Sequence, residues 1–368
     1  MIKFVKLEDA CFVRRGTTIT KKQTKKGNIP VIAGGRKATY FHNKHNRESG
    51  TITISGSGAS AGLVNYWSIP IFASDCSTVE LKDNKQNVKF IYYYLQSMQE
   101  FIYKNMRSGA AQPHVYAKDI ANLNFPLLSL EEQQRITAKL DSVFAEIDKM
   151  INYINKQALN SHKIFEQSLI KFFNNKAYKK YELGSVCQFI GGSQPPKYNF
   201  EYESKETNIR FIQIRDYKND KNIVYIPRKK AKRFCKATDV MIGRYGPPIF
   251  QILRGIDGAY NVALMKAVPK KEITNDYLFY FLKNKKIQDY VIKKSIRAAG
   301  QSGVNKQALE PYKINLPTIR EQNNIINNIK MIEEQTHKLK FLFKKKLELI
   351  SKLKSSLLDD LLHKNKVA

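Results

Sequence analysis

The feature that most constrains the fold is that the chain of 368 residues repeats itself. Leu7, Cys11 and Gly16 recur as Leu183, Cys187 and Gly192, at a constant offset of 176. Asn28-Ile29 with Val31-Ile32 answers to Asn208-Ile209 with Phe211-Ile212 at 180, and the aromatic run Phe90 to Leu95 answers to Tyr277 to Leu282 at 187. Gln112 and Val115 match Gln301 and Val304, and Glu132-Gln133 with Ile136 match Glu321-Gln322 with Ile325, all at 189. A drifting offset of this kind means loop insertions in the second copy of one unit. The length also exceeds what a single core organises, so two or more domains are expected.

Each copy ends in a long helix with a readable start. Ser129-x-x-Glu132 and Thr318-x-x-Glu321 have capping-box spacing, and Pro126 and Pro317 stand just upstream. From Ile136 the apolar positions run Leu140, Val143, Ile147, Met150 and Ile154. The second helix shows Ile325, Ile329, Ile332, Leu339, Phe343, Leu347, Ile350, Leu357 and Leu361. Steps alternating between three and four predict a coiled-coil seam. Each stripe needs a partner, and the simplest is the other copy's helix in antiparallel, pseudo-two-fold pairing. The expected fold class is α+β, divided into a head over 1–128, a helix over 129–175, a second head over 176–317 and a second helix over 318–368.

Charge follows the same division. The formal net charge is +31, and it splits as +10 for residues 1–128, 0 for 129–175, +16 for 176–317 and +5 for 318–368. A cationic excess confined largely to the heads predicts that the heads grip a polyanion and the first helix does not. The 42% of hydrophobic residues suffices for packed cores and excludes global disorder. No run of about 18 apolar residues occurs. Residues Met1 to Ala10 carry Lys3, Lys6, Glu8 and Asp9 where a secretory signal needs an apolar stretch. A soluble, cytoplasmic protein with no membrane contact is expected. Cys11, Cys76, Cys187 and Cys235 are too scattered for a disulfide framework or a zinc ribbon.

Several motifs that suggest catalysis lose force in context. Gly56-x-Gly58-x-x-Ala61 follows a β-rich run, but Leu63 to Trp67 after it is again β-like, so no helix dipole would face a pyrophosphate. Asp75, Glu80 and Lys82 resemble a metal-nuclease set. Side chains five apart on one strand face opposite sides, however, which separates Asp75 from the other two. Pro247-Pro248 lacks the preceding Asn or Asp and the following aromatic of an adenine methyltransferase motif, since Gly246 and Ile249 stand there. His42 and His45 have no clear third metal ligand. No catalytic, cofactor-binding or metal-binding residue is therefore assigned.

Binding chemistry remains. Both heads mix Arg, Lys, Gln and Asn with Tyr, Phe and Gly in loops, the types that contact phosphates, read base edges and allow close backbone approach. The candidate DNA-binding residues are Arg36, Lys37, Arg47, Ser57, Arg107 and Ser108 in the first head. In the second they are Gln213, Arg215, Arg244, Tyr245, Gln251, Arg297 and Gln301.

Taken in order, these pieces resemble the specificity subunit of type I restriction-modification systems over essentially the whole chain. The resemblance is carried by Phe125-Pro126 leading to Glu132-Gln133-Gln134-Arg135-Ile136, and by Leu316-Pro317 leading to Glu321-Gln322 and Ile325. The run from Ile54 to Gly62, through Asn65-Tyr66-Trp67 to Phe72-Ala73-Ser74-Asp75-Cys76, is similar to a common recognition-domain pattern, in which an Arg often stands where this chain has Ser or Gly. The resemblance implies two target-recognition domains, each reading half of a split double-stranded DNA sequence, with paired helices setting the gap. It also implies partners: two methyltransferase subunits on the helices, and endonuclease and translocase subunits joining them. Methyl donor, ATP and magnesium would belong to those partners, and this chain would be no enzyme. Two alternatives stay open: a stand-alone nuclease or DNA methyltransferase, and a coiled-coil scaffold whose basic heads bind RNA.

Overall fold

The computed structural model describes residues 3–35, 37–109, 111–295 and 303–363. The first head runs β1 (Lys3–Lys6), α1 (Leu7–Ala10), β2 (Cys11–Arg15), β3 (Ile29–Ile32), β4 (Tyr40–His42), β5 (Thr51–Ser55), β6 (Val64–Trp67), β7 (Phe72–Ala73) and β8 (Cys76–Leu81). It continues through α2 (Val88–Ser97), α3 (Gln99–Asn105), α4 (Ala117–Ala121) and β9 (Asn124–Leu127) into the long helix α5 (Leu130–Phe173). The second head repeats the order as β10 (Lys179–Glu182), α6 (Leu183–Val186), β11 (Cys187–Gly191), β12 (Asn208–Ile212), β13 (Tyr225–Pro227), β14 (Phe234–Cys235), β15 (Val240–Gly243), β16 (Gln251–Leu253), β17 (Gly258–Tyr260) and β18 (Leu264–Pro269). Then come α7 (Asn275–Lys283), α8 (Lys285–Ser295), α9 (Lys306–Leu309), β19 (Lys313–Leu316) and the second long helix α10 (Ile319–Leu362). Among the described strands β14 is the one added, and with two extra 3-10 turns, Ile214–Tyr217 and Arg228–Lys230, it lies where the repeat offset grows.

Sheet topology repeats strand for strand. An antiparallel sheet ordered β2-β8-β5-β6 has its counterpart in β11-β18-β15-β16. The sheet β4-β3-β7 corresponds to β13-β12-β17-β14, and in both the inner pair, β3 with β7 and β12 with β17, is parallel. The ribbons β1-β9 and β10-β19 close the heads. Leu7, Cys11, Ile52, Ile54, Phe90, Leu95 and Phe125 are buried in the first head, and Leu183, Cys187, Val240, Ile242, Tyr277, Leu282 and Ile314 in the second. All four cysteines are free and buried.

The chain divides into two compact units, residues 1–155 with 344–368, and residues 156–343. In the first unit α5 starts at the head and α10 ends there: His363 lies within hydrogen-bond distance of Ser97 at 2.8 Å and against the Tyr94 ring. Lys354 of α10 covers the Phe144 ring of α5 at 4.4 Å. In the second unit the roles reverse. There α5 ends on the head, with Phe173 edge-on to Tyr277 and the Leu169 carbonyl accepting from Asn284, while α10 begins on it, with Glu333 accepting from Tyr280. Within each unit the two helices therefore run in opposite directions. Both have 44 residues, about 66 Å at 1.5 Å per residue.

The seam differs from the spacing-based reading at several places, and on α10 Ile326, Leu358 and Leu362 are buried beside the half-buried Ile325, Leu357 and Leu361. Met150 is 43% exposed and Leu339 is 41% exposed, whereas Phe144 is buried beside the half-buried Val143. On α5 positions 144, 147 and 154 are buried and Met150 is exposed.

The two helix starts also differ. At α10 the capping box is complete: Glu321 N donates to Thr318 Oγ1 at 3.3 Å, and Thr318 N donates back to Glu321 Oε2 at 2.9 Å. At α5 only half forms. Glu132 N donates to Ser129 Oγ at 3.2 Å, but the Glu132 carboxylate is held by Arg135 in two bonds of 2.7 Å. Thr318→Ala should therefore cost about 1 kcal/mol and Ser129→Ala less, a difference that paired chemical-denaturation curves would read. Among the described residues no helix is long and apolar enough to cross a membrane.

Candidate nucleic-acid interface

Strand register aligns the two heads residue by residue. Ser55 pairs with Cys76, and Gly243 pairs with Leu264. One residue on, Gly56 N donates to Asp75 O (3.1 Å) and Gly56 O accepts from Val115 N (3.0 Å). Arg244 N donates to Ala263 O (2.8 Å) and Arg244 O accepts from Val304 N (3.1 Å). Gly56 and Arg244 thus occupy one position of the repeated unit, and Asp75 and Ala263 another.

In the first head three segments meet beside Gly56. A Cβ placed on Gly34, after β3, would lie 2.6 Å from Ser57 O, so glycine permits the loop after β3 to touch the loop after β5. Ser57 and Ser108 both form backbone bridges with His114. Ser57 Oγ donates to Asp75 Oδ2. Arg107 braces the same loop, donating from Nε to Ala61 O at 2.8 Å and from Nη2 to Ala59 O at 3.3 Å, with its guanidinium 4.0 Å over the Tyr103 ring. Lys37 is exposed in the loop that Gly34 opens. Ser57, Arg107 and Ser108 are brought together with Lys37 on an adjoining loop.

Arg47 is placed elsewhere. Its Nε lies 3.0 Å from Glu80 Oε1 and donates to Thr78 Oγ1 at 2.9 Å, and the side chain is only 13% exposed. It ties the segment before β5 to β8. Glu80 is thereby held in an ion pair, and one carboxylate oxygen of Asp75, Oδ2, accepts from the Ser57 hydroxyl. Among the described residues no group of three or more His, Cys, Asp or Glu is arranged to hold a metal ion. His42 Nδ1 accepts from Lys25 N at 3.0 Å, while His45 faces Glu48 at 3.0 Å.

In the second head Arg244 and Tyr245 open the loop between β15 and β16. Arg244 donates from Nε to Val304 O at 2.9 Å and from Nη1 to Val262 O at 3.1 Å, and sits 5.1 Å from the Tyr245 ring centre. Gln251 closes the loop by donating to Pro248 O at 2.9 Å. Gln213 follows β12 and caps the turn Ile214–Tyr217, whose Ile214 side chain would lie 3.4 Å from a Cβ on Gly243. Arg215 reaches Asn222 O at 3.3 Å and pairs at 3.7 Å with Asp216, whose carboxyl is pushed above its usual range by burial, against the pull of the Gln213 amide, Arg210 and Arg215. Arg36, Arg297 and Gln301 lie outside the described residues.

Some residues of the candidate interface escape sequence reasoning. Asp75 looks like part of a nuclease triad until strand register sets it against Gly56. His114 carries no motif. Lys21, Lys22, Lys25 and Lys26 line the β2–β3 connection, and the equivalent β11–β12 connection presents the exposed Tyr198 and Tyr202; the composition of these loops was the available signal.

Comparison with known proteins agrees with this duplicated arrangement. The family described as type I restriction modification DNA specificity domain matches residues 2–159 and 175–349, one match on each copy. The chain is 25% identical over 340 residues to the type I restriction enzyme MjaVIII specificity subunit of Methanocaldococcus jannaschii, covering 84% of this chain and 78% of that one. A candidate type I specificity subunit of Mycoplasma pneumoniae is 22% identical, with 88% and 87% covered. A solved chain from work on complex assembly and conformational transition of the type I R-M system superposes with a TM-score of 0.77 at 16% identity, covering 98% and 97%. The HsdS subunit of Thermoanaerobacter tengcongensis gives 0.56 at 17% identity, covering 98% and 96%. With both copies matched and the fold shared along its length, the chain belongs to the type I restriction-modification DNA specificity family.

Proposed function

We propose that this chain is the non-catalytic subunit that gives a type I restriction-modification complex its DNA sequence specificity. Each head reads one half of a bipartite duplex target through its loops, and the two long helices set the unread gap. One observation carries the reading: the same set of loops recurs at equivalent register positions on two heads that hold most of the +31 net charge. Phosphates would be gripped by the lysine-rich connections and base edges met by the loops after β5 and β15.

The helices offer what a protein-docking platform needs. Met150, Tyr153, Leu349 and Leu353 are exposed in the first unit, and Leu159, Ile164, Met331, Leu339, Phe341 and Leu342 in the second. One methyltransferase subunit on each set, two in all, would cover this apolar surface. Endonuclease and translocase subunits would join that assembly, which acts on cytoplasmic DNA. Methyl donor, ATP and magnesium would be bound by those partners.

The test is reconstitution. Chain plus methyltransferase subunit should methylate adenine within a split sequence, and neither component alone should do so. Binding should weaken with salt at a log-log slope of about −0.9 per phosphate contacted; for 6 to 10 contacts this is roughly a 10³- to 10⁵-fold loss between 50 and 200 mM. Methylation or cleavage by the chain alone would overturn the proposal in favour of an enzyme. Equal competition by A-form duplex RNA would favour an RNA-binding scaffold, because the deep, narrow major groove of RNA hides the edges a DNA reader needs.

A further inference from the structure

The two heads carry opposite chemistry at one equivalent place. Where the first has Gly56 and Asp75, the second has Arg244 and Ala263, and the exchange is reciprocal. A Cβ on Gly56 would lie 3.0 Å from Asp75 Oδ1 and 3.2 Å from Asp75 O, so the carboxylate fills the space that a longer residue's stem would need. Ala263 has no carboxylate, and the Arg244 side chain passes freely.

Both polar groups are held by their surroundings and keep bonding capacity to spare. Ser57 Oγ donates to Asp75 Oδ2, and among the described residues Oδ1 has no donor. Asp75 lines a cavity of about 70 Å³ together with Arg15, His114 and Tyr116. Arg244 is fixed through Nε and Nη1 by the carbonyls of Val304 and Val262, which leaves Nη2 without an acceptor among the described residues. Two fixed groups at hydrogen-bonded neighbouring positions of the repeated unit, an acceptor in the first head and a donor in the second, are the chemistry of base-edge discrimination.

Resting on the proposed function, we infer that Asp75 and Arg244 are specificity-determining residues of opposite polarity. Asp75 accepts from the exocyclic amino group of cytosine or adenine in one half of the target, and Arg244 donates to guanine O6 or N7 in the other. An ionised carboxylate only accepts, so a thymine or guanine edge, with its carbonyl at the corresponding place, is rejected by the first head. Guanidinium only donates, so the second head rejects an amino group there.

The experiment uses the chain bound to its methyltransferase subunits. The bipartite target is determined first by methylation-site sequencing with the wild type, and binding is then measured on duplexes altered one pair at a time. Inverting the pair read by Asp75 moves the amino group to the other strand and should weaken wild-type binding by about tenfold or more. In the near-isosteric Asp75→Asn variant the carboxamide both donates and accepts, so most of that penalty should vanish, with the other half unaffected. Arg244→Gln should relax a G·C position in the opposite half only. In Gly56→Arg combined with Asp75→Ala, the first head should acquire a preference for guanine at the position Asp75 read. Unchanged preferences in Asp75→Asn, or relaxation of the same half by both single variants, would overturn the inference while leaving the bipartite reading intact. A wild-type complex with no bipartite target would instead sink the proposed function.

Discussion

Gly192→Ala should disrupt the second head, and Gly16→Ala the first. A Cβ on Gly192 would lie 1.9 Å from the Asn261 carbonyl oxygen and 2.8 Å from that of Tyr260, and one on Gly16 would lie 2.3 Å from Ser74 O and 2.7 Å from Ala73 O. In each head this glycine follows the first strand of the four-stranded sheet and crosses the end of the parallel pair. There its own amide donates to Cys76 O at 2.8 Å or Leu264 O at 3.0 Å. The obstacle is backbone, so no rotamer change relieves it, and either the crossing or the parallel pair must move. The cost should reach the upper end of the roughly 1–3 kcal/mol of ordinary overpacking, or exceed it. Denaturant unfolding combined with limited proteolysis would show the affected head opening first. A variant as stable as the wild type would mean that the crossing is looser than described.

The second large effect concerns Gln133 and Gln322, both fully buried. Gln133 Nε2 donates to Leu128 O at 3.0 Å and Gln86 Oε1 at 2.7 Å, while its Oε1 accepts from Asn87 N at 2.8 Å. Gln322 repeats this with Pro317 O at 3.1 Å, Glu272 O at 2.8 Å and Thr274 N at 2.9 Å. Asn87 and Thr274 are in turn the N-caps of α2 and α7. One amide thus ties the first turn of each long helix to the start of the helix it packs against. Truncating Gln322 to alanine leaves buried polar groups unpaired at about 1–3 kcal/mol each, so a loss of about 3 kcal/mol or more is expected. Gln322→Glu should be no better, because a carboxylate oxygen would face two carbonyls. Thermal and denaturant unfolding of both variants, with Thr318→Ala as a milder reference at the same helix start, would check the ranking.

These residues show what the sequence carries plainly and what it carries only in outline. The repeat Leu7-Cys11-Gly16 with Leu183-Cys187-Gly192 was visible as spacing, and its cause is the crossing just described. Glu-Gln after each proline was visible as a pattern, but the clamp it makes depends on the backbone of Asn87 and Thr274, which lie 46 and 48 residues away from their glutamines in the chain. Arg47 belongs to a residue type that contacts phosphate, yet the neighbouring strand supplies Glu80, and composition holds no record of which partner a side chain meets. The Gly56–Asp75 and Arg244–Ala263 exchange falls at one offset, 188, but no residue identity marks it. Only strand register shows that these pairs are counterparts. Met150 and Leu339 satisfied the apolar spacing yet are exposed, because spacing alone does not say which side chains fill a seam; beside Val143 it is Phe144 that is buried.

The most direct test of two heads reading one split target is sequencing of methylated adenines in cells with and without this chain, its methyltransferase partner being present in both. The account predicts a motif that depends on this chain, made of two short defined halves separated by an unread gap of constant length. A single contiguous motif, a gap of variable length, or methylation unchanged by loss of the chain would contradict it.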